Sequence, residues 1–338
     1  MQQNNNRLIF IDIMKCLAIY LVILGHILAS SYNNILEYAS TDYVYTALWR
    51  YIYSFHMPLF MFISGYVAFS PHKSYTFKHI TLRIISYLIP FFVAGTLLTF
   101  WREKGDLSNY WYFRTLSIFV IILYIIEYIV NHIIPQHKKI NRFIIFLLYI
   151  ILFKSLTIIC NSNSAIGSII DIKHIEYLYF YFIIGWGLRQ YSYLLKYIVN
   201  QYTYAISAIG MFIHLIIFQN ISILWPIIAI IFTINISFYL QKSPKSILLA
   251  QIGNRTLDIY IIHLFFLLEI PYLENFFINI ANQGGITNAI NAQLLVAIPL
   301  SSLLLYISTI ISKLIRISPV LSLITLGDVN ILKKKFDI

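Results

Sequence analysis

Runs of about 20 predominantly apolar residues recur along almost the whole chain, at 8–28, 49–69, 83–101, 114–133, 142–160, 176–189, 203–219, 221–241, 257–276 and 291–312. A helix rising about 1.5 Å per residue needs about 20 residues to cross a hydrocarbon layer of about 30 Å. Ten such runs predict an all-α, polytopic integral membrane protein with about ten transmembrane helices. Composition agrees: 59% of the 338 residues are hydrophobic and only 11% are charged. A soluble fold has no use for that much apolar surface. The mildly hydrophilic connections are 29–48, 102–113, 161–175 and 277–290, and no internal repeat stands out. The expectation is therefore a single transmembrane domain over 1–338 without an appended soluble domain. The first run is too long and too often interrupted by charges to read as a cleaved signal peptide.

The formal net charge is +11. Distributed over the ten-span reading, 17 lysines and arginines fall on the side of the N-terminus and five on the other. Cytoplasmic segments concentrate basic residues, so the bias puts both termini in the cytoplasm. It also accounts for the charge without nucleic acid, since Lys333-Lys334-Lys335 is the longest basic run. Cys16 and Cys160 both lie in apolar runs and form neither a CxxC nor a disulfide framework.

Against this background the polar residues inside spans carry the information. The first span contains Asp12, Lys15 and His26. The eleven-residue step from Lys15 to His26 is about three turns plus 20°, so both lie on one stripe about 16 Å apart along the axis, with Asp12 beside them. Polar groups in lipid each cost about 2–3 kcal/mol and face a bundle interior or a wet cavity. The charge bias then places Lys15 toward the cytoplasm and His26 toward the outer surface. In the second span His56 sits at a comparable depth, Pro58 predicts a kink, and Ser64-Gly65 permits close helix approach. Lys73, Lys78 and Arg83 cluster in the loop that follows, as an anchor or as a hold for a phosphorylated cofactor. Glu127 stands midway in the fourth span, able to pair with Lys154 in the fifth. Trp111 precedes the fourth span as an interfacial aromatic or a site residue. Asp258 at the start of the ninth span is placed to be stabilised by the helix dipole, and His263 reads as structural. No P-loop, HExxH, GxSxG or Cys/His metal spacing occurs.

Asp12-x-x-Lys15 followed by His26 resembles the first-helix motif of the membrane acyltransferase 3 family, a basic residue, ten others, then histidine. FHMPLFMFISGY, Phe55 to Tyr66, resembles the second-helix signature of its fucose 4-O-acetylase-like branch. Weaker echoes are the basic stretch before Ile-Pro90-Phe-Phe, Trp111-Tyr-Phe, the run from Tyr179 to Gly185, and Ile252 to His263. Two departures stand out: Lys15 where arginine is commoner, and Arg83-x-x-Ser86 where the family has Arg-x-x-Arg.

The resemblance implies transfer of an acetyl group from cytoplasmic acetyl-CoA, without a metal, to a hydroxyl of a sugar, a polysaccharide or a lipid-linked glycan at a bacterial cytoplasmic membrane. It assigns His26, Lys15 and Asp12 to catalysis and Lys78, Arg83 and Lys73 to the donor's phosphates. His56, Trp111 and Glu127 go to the acceptor. His26 would serve as general base or transient acyl carrier, since imidazole titrates near neutrality. From the residues alone, a proton-coupled transporter or flippase of lipid-linked sugars also suits intramembrane Asp, Lys and His. It lacks the paired broken helices of such carriers. A polyprenyl-linked glycan polymerase or glycosyltransferase would need larger outer loops.

Overall fold

The structure is a computed structural model that describes residues 8–30, 42–68, 77–102, 110–133, 138–162, 172–217, 224–267, 271–330 and 332. Among them the only regular secondary structure is helical, as expected where every backbone amide must find its partner within its own segment. The α-helices are α1 (Ile9–Ser30), α2 (Asp42–Ala68), α3 (Phe77–Arg102), α4 (Trp111–Ile133), α5 (Lys138–Ser162) and α6 (Ile172–Gln190). There follow α7 (Leu195–Ile198), α8 (Gln201–Ile217), α9 (Leu224–Leu240), α10 (Ser246–Gly253), α11 (Thr256–His263), α12 (Pro271–Ile315) and α13 (Pro319–Leu326). Five helical stretches among the described residues are long and apolar enough to cross a membrane: Ile9–Leu28, Phe77–Trp101, Trp111–Ile133, Ile140–Ile159 and Leu294–Ile315. The chain is thus an integral membrane protein built from helices.

It divides into two compact units, Met1–Leu59 with Lys196–Lys313 and Phe60–Leu195 with Leu314–Ile338. In the first, α1 packs on α9, α10 and α11. Of the apolar stretch of α1, 72% is buried, against 22% to 39% in the other four. That burial explains how α1 carries charges that a lipid-facing helix could not. Tyr20 donates from α1 to the Ile298 carbonyl of α12 at 3.3 Å. Ser312 of α12 donates to Asp258 at 2.6 Å and accepts from Arg255 at 2.9 Å, fixing the start of α11.

In the second unit, the end of α2 crosses α6 in backbone contact. A side chain on Gly65 would meet the Phe182 carbonyl, and one on Gly185 the Phe62 carbonyl. Tyr149, Phe153, Phe119 and Phe182 form an aromatic core between α4, α5 and α6. α13 packs on α3. It ends at Gly327, whose φ of 67° is left-handed and whose Cα faces the Ser86 carbonyl.

Two expectations from hydropathy need correction. The ninth run, 257–276, is not one helix: α11 ends at His263, a 3-10 turn covers Leu264–Phe266, Leu267 is extended, and α12 starts afresh at Pro271. Proline has no N–H to give and suits a helix's first position, not its middle. The connection expected at 277–290 is helical, part of the 45 residues of α12. At about 68 Å that helix is twice the thickness of a hydrocarbon layer, and its stretch long and apolar enough to cross one is Leu294–Ile315. Pro58 does not interrupt α2, which runs unbroken from Asp42 to Ala68.

Candidate active site

The site in the first unit is assembled from both ends of α1. Near its start, Lys15 donates to Asp12 at 3.2 Å, one turn apart. Asp12 lies in the first turn, where the helix dipole favours an anion. It is 4% exposed, so the carboxylate needs the ammonium beside it. The pairing expected from the three-residue spacing is present.

Near its other end, His26 meets two rings from different parts of the chain. The His263 ring centre is 5.3 Å away at 50°, and that of Tyr53 is 6.5 Å away, edge-on. Tyr53 in turn lies 4.6 Å from His56 and 4.2 Å from Trp49. Gly25 makes room for it: a Cβ there would sit 2.9 Å from the Tyr53 ring. His56 is 3% exposed and His263 is fully buried. Each imidazole is held by the carbonyl one turn back, His56 Nδ1 by Ile52 at 2.8 Å and His263 Nδ1 by Ile259 at 3.1 Å. A carbonyl only accepts, so Nδ1 carries the proton and Nε2 of each neutral ring is an acceptor.

A further histidine, His214, lies in the same unit. His214 bonds Ser54 at 2.8 Å and stacks on Trp225 at 4.5 Å. Ser54 donates its own proton to the Tyr51 carbonyl at 2.7 Å, so it is a structural hydroxyl.

Lys78, Arg83, Trp111 and Glu127 belong to the second unit, and Lys73 lies outside the described residues. Lys78 is exposed in the first turn of α3, where helix amides favour anions. Arg83 donates to the Ala68 carbonyl, to the Val67 carbonyl at 3.1 Å and to the Tyr87 hydroxyl at 3.0 Å. Two of its five N–H groups thus cap the end of α2, and a third is held by Tyr87 on its own helix. Trp111 stacks on His174 at 4.0 Å and 18°. Glu127 accepts from the Trp186 indole at 2.9 Å, while Lys154 is exposed. The sequence flagged neither His174 nor Tyr53, and it read His263 as structural. The latter's position ten residues after Gly253 on an apolar helix gave no sign of its neighbour.

Residues 8–315 match the profile of a family described as an acyltransferase domain. The chain belongs to the acyltransferase 3 family. It is similar to the "Nodulation protein NolL" of Sinorhizobium fredii, 35% identical over 111 residues, which are 32% of this chain and 28% of that protein. The protein of the same name from Mesorhizobium japonicum is 38% identical over 104 residues, 30% of this chain and 26% of its own length. The matches therefore span little more than a quarter of these relatives. No solved structure matches the chain. Both lines of reading, the sequence motifs and the family profile, run through α1, where the charged pair and His26 lie.

Proposed function

We propose that this acyltransferase 3 family protein is an O-acetyltransferase of a bacterial cytoplasmic membrane. It takes an acetyl group from cytoplasmic acetyl-CoA and places it on a hydroxyl of a sugar, a polysaccharide or a lipid-linked glycan. The observation that carries this reading is His26 on α1, ringed by Tyr53 and His263, with the Lys15–Asp12 pair on the same helix. An imidazole can take the acceptor's hydroxyl proton as its oxygen bonds to the thioester carbonyl carbon. The carbon–sulfur bond then breaks, and the departing thiolate takes that proton back. Lys15, about 16 Å from His26 along the axis of α1, supplies positive charge to the donor on the cytoplasmic side, and Asp12 orients it.

Exposed Lys78, with Lys73 before it, suits the donor's phosphates. Arg83 adds charge there while anchoring α2. His56, Trp111 and Glu127 are assigned to the acceptor. Trp111, already stacked on a flat ring, offers the kind of surface on which a sugar packs.

Two measurements test the reading. Reconstituted protein with labelled acetyl-CoA should acetylate a glycan acceptor, and mass spectrometry of surface glycans with and without the protein should identify it. Movement of a lipid-linked sugar across the bilayer with no acyl donor, and no acetyl transfer when one is present, would make the protein a flippase instead. Lys15→Ala should lower kcat/KM by about 10²-fold and Lys15→Arg should retain most of it, because the charge rather than the ammonium's shape is what counts. Equal rates for Lys15→Ala and the unaltered protein would remove Lys15 from the site.

A further inference from the structure

Two helices of the first unit carry the same order of groups. α1 has Asp12 and Lys15 near its start and His26 toward its end. α11 has Arg255 at its N-cap, Asp258 in its first turn and His263 as its last residue. They meet at both ends. Gly253 lets the chain just before α11 lie on the backbone of Asp12, and His263 meets His26. The two helices therefore run side by side in one direction. Arg255, Ser312 and Asp258 hold the start of α11 against α12, so the position of His263 is set from the opposite end of its own helix.

The ring centres lie 5.3 Å apart at 50°, close enough for a turn of the His26 ring to bring one of its nitrogens within the roughly 2.7–3.2 Å of an N–H···N bond to His263. His263 Nδ1 donates to the Ile259 carbonyl, which leaves Nε2 as the acceptor in the neutral ring. A fully buried acceptor beside a candidate base is the arrangement that orients such a base.

We propose that His263 is the positioning residue of His26, its Nε2 accepting the N–H of the His26 nitrogen that does not face the acceptor. This rests on the reading of His26 as general base. The bond fixes the tautomer of His26, so that its other nitrogen holds the lone pair for the incoming hydroxyl. When that nitrogen takes the proton, His26 becomes a cation with its second N–H still directed at His263. When the proton passes to the thiolate, both rings return to their neutral state. No electrons change hands and no proton leaves His263.

The test uses the full chain in membrane vesicles, with labelled acetyl-CoA as donor and endogenous membrane glycans as acceptor. His263→Phe and His263→Asn remove the acceptor atom at the Nε2 position and should lower kcat by about 10²-fold, with the KM for acetyl-CoA changed less than about threefold. His263→Gln, whose Oε1 reaches where Nε2 was, should recover at least about tenfold over His263→Phe. Melting in detergent should be alike for the Asn and Gln variants, which separates this role from packing. Wild-type kcat in His263→Asn or His263→Phe, or a Gln variant no better than Phe at equal stability, would overturn the proposal. His26→Ala in the same assay separates the two levels. A dead His26→Ala beside an active His263→Phe ends only this inference, whereas an active His26→Ala ends the reading beneath it.

Discussion

Replacing His26 with alanine is expected to lower acetyl transfer by about 10³-fold, or about 4 kcal/mol of barrier, while the protein stays folded. The expectation of a folded variant comes from where the ring sits. His26 is only partly buried, and the ring partners found for it are Tyr53 and His263. The packing of α1 is carried instead by Ile13, Met14, Ala18, Ile19 and Ile23, all completely buried. Alanine is also the best helix former, so the turn at Gly25 and His26 keeps its backbone. The loss is thus of chemistry. His26 is the imidazole that α1 carries above the Lys15–Asp12 pair. The measurement is initial rate per mole of membrane-inserted protein, alongside the melting temperature in detergent. A rate within threefold of the unaltered protein, with the same melting temperature, would show that His26 is not the base.

How much of this was legible beforehand follows from the range of each interaction. Hydropathy is a local sum, so α1, α3, α4 and α5 were readable to within a few residues. The Asp12–Lys15 pair was readable because a helix places residues three apart on one face. Hydropathy records preference for lipid, not helicity, which is why the polar stretch 277–290 read as a connection although it is helix. The ninth run failed for the opposite reason, since apolar composition continues through a proline that the backbone cannot ignore. Contacts between distant segments left no local trace. His263 looks like any histidine on an apolar helix until α11 is laid beside α1. Glu127 looked ready for Lys154, but an indole N–H on α6 meets it instead. Arg83 read as part of a basic loop, while its guanidinium closes the end of α2, a use that depends on where Val67 and Ala68 finish. The Gly65 motif announced close approach but not the helix approached.

That last contact yields the largest expected effect on stability. Gly65→Ala and Gly185→Ala should each destabilise the protein by about 3 kcal/mol and sharply reduce its membrane level. In both cases the added methyl would run into main chain: at Gly65 the Phe182 carbonyl, at Gly185 the Phe62 carbonyl and the Tyr66 amide. A side chain could rotate aside, but a carbonyl bound into its own helix cannot, so α2 and α6 must separate. Separation opens the buried contact of Phe62, Tyr66, Phe182 and Trp186, each no more than 1% exposed, and loses their packing as well. Gly187 is the internal control. It lies on the same helix, yet a Cβ there would meet only the Phe146 ring, at an ordinary 3.7 Å. Gly187→Ala should therefore stabilise by about 0.5–1 kcal/mol through the unfolded chain's lost freedom. The double variant Gly65→Ala with Gly185→Ala decides whether the two glycines serve one contact. If they do, the first methyl already forces the helices apart and the second meets less resistance, so the pair should cost clearly less than the sum of the single changes. Strict additivity in chemical denaturation would mean that each glycine is needed for a separate reason, and that α2 and α6 do not touch backbone to backbone.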